Sequence, residues 1–247
     1  MNCLILAAGY ATRLYPLTEN MPKPLLEVKG KTILDWLIDD IDSSEMIEKY
    51  IVVSNAKFAD NFEAWAKNHS KSDRIVVVND GTYTNETRLG AVADILFAKN
   101  ELSLEGELMV IAGDNVLDFS LCRFLEYYKT KKCSCLMRYF EPRGEVCKKS
   151  GVITFDENDK ITSMEEKPEN PKSNWLTPPF YIYTAEDIEK VGYALENGCH
   201  KDAPGSFAAW LSKETRVCAM EMPGKRYDIG NLESYKNVCE TYNGIER

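Results

Sequence analysis

Residues 4–18 read Leu4-Ile5-Leu6-Ala7-Ala8-Gly9-Tyr10-Ala11-Thr12-Arg13-Leu14-Tyr15-Pro16-Leu17-Thr18, and Pro22-Lys23-Pro24-Leu25-Leu26 follows shortly after. The apolar opening has no in-and-out alternation, so it predicts a strand buried on both faces, as in parallel sheets. It ends in Leu6-Ala7-Ala8-Gly9, where small side chains let a backbone approach a ligand closely. The loop after the first strand of such a sheet is where ligands collect, and its N–H groups suit phosphate oxygens. Arg13 can fork two phosphate oxygens and Lys23 can add a point charge. Pro22 and Pro24 restrict the backbone on either side of Lys23 and help to aim it. Neither G-x-x-x-x-G-K-[ST] nor G-x-G-x-x-G occurs here, so this is no Walker loop and no dinucleotide fingerprint. A plain surface loop holding a glycine and an arginine is the competing reading.

Working outward, short apolar runs recur at Ile51–Val53, Ile75–Val78, Leu108–Ala112, Cys135–Met137, Val152–Phe155, Phe180–Tyr183 and Arg216–Met222. Between the early ones lie segments with helical spacing. Ile33, Leu34, Leu37, Ile38 and Ile41 mark one stripe; Leu89, Val92, Ala93, Ile95 and Leu96 mark another; Phe119–Tyr128 supplies a third. The alternation predicts an α/β protein: a three-layer, Rossmann-like, mainly parallel sheet built from right-handed βαβ units. After residue 140 the chain becomes strand-rich and is punctuated by Pro142, Pro168, Pro171, Pro178 and Pro179, predicting a small added antiparallel subdomain. Asn231–Tyr242 predicts a last helix. The expected organisation is a single domain over residues 1–247. Within it, 1–140 form a nucleotide-binding core, 141–226 mainly bind the acceptor, and 227–247 carry a metal aspartate and the final helix.

Thirty lysines and arginines against thirty-nine aspartates and glutamates leave a net charge of −9. Such a chain is a poor partner for nucleic acid or an anionic membrane. Yet residues 1–31 carry Arg13, Lys23, Lys29 and Lys31 against only Glu19 and Glu27, a local basic excess suited to one small anion held in a cleft. The apolar start is short and lacks a basic leader, and no run approaches 18 apolar residues. Eight cysteines in no metal-like spacing read as reduced thiols. The expectation is a cytoplasmic protein without membrane contact.

The N-terminal pattern resembles the sugar-1-phosphate nucleotidyltransferases, typified by glucose-1-phosphate thymidylyltransferase, which open with Gly-x-Gly-Thr-Arg-Leu-x-Pro-Leu-Thr and Pro-Lys-x-Leu. The matches are Gly9, Thr12, Arg13, Leu14, Pro16, Leu17, Thr18, Pro22, Lys23 and Leu25; Ala11 replaces the second glycine. Four further blocks follow in the family's order. Asn79-Asp80-Gly81-Thr82-Tyr83-Thr84-Asn85, continuing to Gly90, corresponds to the turn that reads the nucleobase, so the resemblance assigns Asn79, Thr82, Asn85 and Gly90 to the nucleotide. The usual Gln-Pro is absent, which leaves dTTP, UTP and CTP open. A helix N-cap is the alternative reading of Asn85.

Gly113-Asp114-Asn115 ends a buried strand, where a carboxylate suits a hard cation such as Mg²⁺; a turn aspartate is the alternative. Gly151-Val152-Ile153-Thr154-Phe155 with Glu166-Lys167-Pro168 resembles the acceptor block. It implies that Glu166 holds a sugar hydroxyl, Lys167 binds the sugar phosphate, and Gly151 and Asn174 line the pocket. Tyr227-Asp228-Ile229-Gly230 implies Asp228 as the second metal ligand.

The reaction so implied is nucleotidyl transfer with Mg²⁺ as cofactor. The partners are a nucleoside triphosphate and a small phosphorylated acceptor, and the products an NDP-sugar and pyrophosphate. Arg13, Lys23 and Asp114 are the candidate catalytic residues. On the acceptor side Pro178-Pro179 stand where the family has a glycine, which implies a reshaped pocket. Trp175, Phe180, Tyr181 and Tyr183 could wall a cation, which makes a CTP-dependent cytidylyltransferase for phosphocholine or another small non-sugar phosphate the alternative. The competing reading is that those aromatics simply pack the core of the added sheet. Homo-oligomerisation, common in related enzymes, stays open.

Overall fold

The computed structural model describes residues 1–246. The chain begins with β1 (Asn2–Leu6), the two-strand ribbon β2 (Glu27–Val28) and β3 (Lys31–Thr32), α1 (Ile33–Asp42), β4 (Tyr50–Ser54), α2 (Ala59–Asn68) and β5 (Ile75–Asn79). Next come α3 (Ala91–Glu101), β6 (Leu108–Ala112), β7 (Val116–Leu117), α4 (Cys122–Lys131) and β8 (Ser134–Phe140). The strand-rich stretch holds α5 (Gly144–Cys147), β9 (Gly151–Phe155), β10 (Ile161–Glu166), β11 (Trp175–Thr177) and β12 (Phe180–Tyr183). It is followed by α6 (Ala185–Glu189), α7 (Val191–Glu196), α8 (Gly205–Glu214), β13 (Val217–Glu221), β14 (Arg226–Tyr227) and α9 (Leu232–Thr241). Every apolar run marked in the sequence lies on a strand.

The chain divides into two compact units. The first comprises Met1–Arg88, Ala112–Arg123 and the chain from Pro223 onward. Its strands β1, β4 and β5 are parallel, with Leu6 opposite Val53 and Val53 opposite Val78. All five residues of β4 are buried, as a central strand requires. α1 buries Ile33, Leu34, Leu37, Ile38 and Ile41, the predicted stripe. Its start is fixed by a capping box: Thr32 Oγ1 accepts from the Asp35 N–H, and Asp35 returns the favour to the Thr32 N–H. α9 begins as expected after Asn231, whose side chain caps Ser234.

The third predicted helix starts late, at Cys122 instead of Phe119. Asp40 Oδ2 accepts the Leu121 N–H at 2.7 Å, and the Ser120 hydroxyl accepts that of Cys122. Phe119 instead bridges Glu246. Tertiary capping therefore overrides the local apolar spacing.

The second unit, Leu89–Ile111 with Phe124–Met222, is mixed. β12 runs antiparallel to both β6 and β8, and β13 runs parallel to β8. The antiparallel addition expected after residue 140 is β9, β10 and β11: β9 pairs with β10 and β11, and β11 also pairs with β8. No helix among the described residues is long and apolar enough to cross a membrane, and all eight cysteines are free thiols.

Candidate active site

In the first unit the turn after β1 is built for access. Ala7 and Ala8 are buried, Gly9 is exposed, and a Cβ on Gly9 would meet nothing within 4 Å. The Ala8 carbonyl is pinned by the Asn55 amide at 2.9 Å. Ala11, the residue replacing the family glycine, sits in the left-handed region at φ 45° and ψ 40°. Its carbonyl accepts from Thr18 Oγ1 and from the Leu14 N–H, which folds the loop into a tight turn and leaves Arg13 exposed. A left-handed residue carries a steric cost for anything but glycine, which gives the family's second glycine a conformational reason.

Lys23 and Asp114 meet directly. Lys23 Nζ lies 2.8 Å from Asp114 Oδ2, with the lysine side chain 10% exposed and the aspartate 43%. The contact follows from Gly113, whose N–H donates to the Leu6 carbonyl at 2.9 Å. A Cβ on Gly113 would lie 2.9 Å from Ile5 Cγ2 and 3.5 Å from Pro24, so glycine lets the Pro-Lys-Pro segment close onto the end of β6. Asp228 arrives by register: β14 runs antiparallel to β7 with Tyr227 opposite Val116, so one step on, Asp228 falls opposite Asn115. The β7–β14 ribbon thus links the two chain segments that carry the aspartates, which lie 114 residues apart in sequence.

Two partners were not named from sequence. Asn115 Nδ2 donates to Asp114 Oδ1 at 3.3 Å and to the Ala112 carbonyl, and Arg226 Nη1 donates to Asn115 Oδ1 at 3.0 Å. The only available signal was adjacency to the two aspartates.

In the turn after β5, Asn79 is exposed and its side chain accepts the Gly81 N–H. Buried Asp80 accepts the Thr82 N–H and hydroxyl through Oδ1, while Oδ2 has no hydrogen-bond partner. Burial pushes its carboxyl up against those two hydrogen bonds. Thr82 in turn contacts the Tyr10 hydroxyl at 3.3 Å, tying this turn to the one after β1. Asn85 is exposed and is not a helix cap; the N-cap of α3 is Gly90. Gly90, in the second unit, has φ +102°, and a Cβ there would lie 2.6 Å from the Lys201 carbonyl oxygen. The carbonyls of Asp202 and Lys201 take the N–H groups of Ala91 and Val92. This helix start is therefore satisfied by backbone, not held open for an anion.

The acceptor candidates lie in the second unit. Gly151 pairs in register with Glu166. A Cβ on Gly151 would collide with Thr177 Oγ1 and come within 3.0 Å of Glu166 Oε2; one on Gly205 would come within 2.5 Å of that same oxygen. Two glycines thus clear space around one carboxylate, and Gly205, the first residue of α8, was not foreseen. Burial pushes the Glu166 carboxyl up, with Lys167 pulling it down. Lys167 is exposed, has a left-handed backbone at φ 50°, and is fixed by its N–H on the Ser150 carbonyl at 3.0 Å. Asn174 spends its amide on the Glu141 carbonyl at 2.7 Å and accepts the Glu141 N–H at its own carbonyl.

The aromatics resolve differently from a cation wall. Phe180, Tyr181 and Tyr183 are buried. Trp175 packs edge-on against Phe140 and Phe155. The Arg138 guanidinium lies 3.7 Å from the Phe155 ring centre and 5.4 Å from that of Trp175. The cation over these rings is the chain's own.

With this geometry in hand, comparisons give it a family. Residues 2–244 match the family model described as nucleotidyl transferase. The chain is 30% identical over 251 residues to the bifunctional protein GlmU of Methanocaldococcus jannaschii, covering 98% of this chain and 55% of that one. It is 26% identical to the UTP–glucose-1-phosphate uridylyltransferase AglF of Haloferax volcanii, covering 94% of this chain and 93% of that one. The chain therefore spans only about half the length of the GlmU relative and nearly all of AglF. A crystallised UDP-glucose pyrophosphorylase in complex with UDP-glucose shares the fold at TM-score 0.83, with 22% identity over 98% of this chain and 97% of that one. The chain belongs to the nucleotidyl transferase family.

Proposed function

We infer that this protein transfers a nucleotidyl group from a nucleoside triphosphate to a sugar 1-phosphate, yielding an NDP-sugar and pyrophosphate. The observation that carries the reading is the Lys23–Asp114 ion pair at 2.8 Å, held at the end of β1 where the Gly113 N–H meets the Leu6 carbonyl, with Asp228 following directly on β14, the partner of β7. An oxygen of the acceptor phosphate attacks the α-phosphorus and forms the new P–O bond. The bond from the α-phosphorus to the bridging oxygen breaks, and pyrophosphate leaves with that electron pair. A phosphate monoester is already largely ionised near pH 7, so no general base is required. What remains for the protein is positioning and charge compensation. Arg13 and Lys23 meet the triphosphate, the turn at Leu6–Gly9 offers the N–H groups of Ala8 and Gly9 while that of Ala7 is taken by the Val53 carbonyl, and Asn79, Thr82, Asn85 and Gly90 belong to the base side. Lys167 meets the acceptor phosphate, and Glu166, in the space cleared by Gly151 and Gly205, meets a hydroxyl of the acceptor.

Asp114 and Asp228 would hold Mg²⁺. Two hard carboxylates fit that ion, which usually takes one or two of them and fills its shell with substrate phosphates and water. Among the described residues no three His, Cys, Asp or Glu side chains form a cage that would suit another metal. Bound there, the ion would supply charge neutralisation on the phosphates. The phosphocholine alternative loses its ground, because Arg138 already fills the aromatic face.

A pyrophosphate-release screen tests this by crossing the nucleoside triphosphates with sugar 1-phosphates and phosphocholine in the presence of Mg²⁺. Turnover confined to a sugar 1-phosphate supports the reading. Silence across the matrix, or turnover with phosphocholine alone, removes it.

A further inference from the structure

The Asp114 carboxylate is engaged on both sides by the protein itself. Oδ2 takes the Lys23 ammonium at 2.8 Å, and Oδ1 takes the Asn115 amide at 3.3 Å, with Asn115 held from behind by Arg226 at 3.0 Å. These contacts differ in kind. Asn115 is buried and bonded at both ends of its amide, so it orients the carboxylate permanently. Lys23 is a flexible stem whose charged tip is nearly desolvated against one partner. A cation so placed must be matched by an anion, and Asp114 is its partner in the protein as it stands.

We propose that Lys23 acts as a tethered stand-in cation on Asp114, so that a divalent ion gains this carboxylate only once a triphosphate has drawn the ammonium away. The proposal rests on the nucleotidyl-transfer reading of the site. A triphosphate carries more negative charge than one carboxylate, and phosphate oxygens near the turn after β1 offer Lys23 a stronger partner. The ammonium then moves from Asp114 to the phosphates, and the carboxylate face it leaves is open to the metal. Nucleotide and metal binding become coupled through one side chain, and by linkage each strengthens the other. The free protein does not collect divalent ions at an empty site, and Arg226 and Asn115 keep Asp114 aimed during the exchange.

The test is Mn²⁺ binding to the full-length, nucleotide-free protein, followed by electron paramagnetic resonance. Wild type is expected to bind Mn²⁺ weakly, and Lys23→Met about tenfold more tightly, a change of about 1.4 kcal/mol. The gain should vanish in Lys23→Met combined with Asp114→Asn. Lys23→Gln, which retains a polar tip, repeats the comparison if the methionine variant fails to fold, as judged by thermal melting. Mn²⁺ affinity equal to or below wild type in a folded Lys23 variant overturns the lock. In parallel, triphosphate binding to wild type in EDTA is expected to be measurable. If no triphosphate binds with or without metal, the nucleotidyl-transfer reading falls and the nucleotide-driven release falls with it. If triphosphate binds but the Mn²⁺ comparison is flat, only the lock falls.

Discussion

Two acidic groups, one in each unit, are handled in opposite ways. In the first unit Asp114 is met by a lysine ammonium, an amide and, behind them, an arginine, so its charge is compensated within the protein. In the second, Glu166 is bracketed by two glycines, and its carboxyl is driven up by burial with Lys167 as the opposing charge. On the proposed reading, the first arrangement would hand its compensation over to an incoming anion. The second stores a desolvated carboxyl awaiting a hydrogen-bond donor. On the proposed reading, a charged donor would meet the first and a hydroxylated acceptor the second, which call for these different preparations.

The comparison can be broken most sharply at Asp114. Asp114→Asn keeps shape but removes the charge, and kcat should fall by a factor of hundreds, about 3–4 kcal/mol of barrier, with the melting temperature nearly unchanged. Near-normal pyrophosphate release would dismiss its metal role. The next effect is structural. Gly90→Ala places a methyl 2.6 Å from the Lys201 oxygen at φ +102°, which should cost about 2–3 kcal/mol in urea unfolding. A smaller loss would mean that the 201–202 backbone yields easily.

Glu166→Gln sharpens the other half. The KM for sugar 1-phosphate should rise about tenfold with a smaller change in the KM for triphosphate, equivalent to about 1.4 kcal/mol. Stability supplies a second readout. Because the folded protein holds the Glu166 proton above the usual value of 4.5, this group's contribution is complete below 4.5 and is lost as pH rises through the raised value. The glutamine variant should lack that decline, so urea midpoints from pH 4 upward should shift in its favour. Parallel curves for both proteins would refute the assignment. The smallest effect is expected at Ala11→Gly, where relief of the left-handed alanine outweighs added chain entropy by about 0.5–1 kcal/mol, read as a modest rise in melting temperature.

Much of the fold was legible because buried parallel strands announce themselves as dense apolar runs, and α1 and α9 carry their own caps in sequence. The turn after β1 and the strand end at Gly113-Asp114 were legible for the same reason, while Asp228 was marked only by the family resemblance, and the structure places it directly after β14. What escaped notice depends on distant chain. Asn85 resembles a cap, yet α3 is capped by the backbone of residues 201–202, which no local pattern encodes. Gly205 matters only because Glu166 lies against it, and Arg226 only because Asn115 does. The proline pair at 178–179 signalled a reshaped pocket, but the group that presses on Gly151 is Thr177, one residue earlier.

The ribbon of β7 and β14 joins segments 111 positions apart, Asn115 to Arg226, and supplies the second aspartate just beyond it. A ribosome adding roughly 5–20 residues per second will have released most of both units before that aspartate exists. A growing chain can thus complete β1, its turn and the Lys23–Asp114 pair and still lack half of the proposed metal site. On the proposed reading, catalytic competence would wait for residue 228 to be made, and a fragment ending before residue 226 should be folded in part and silent in full.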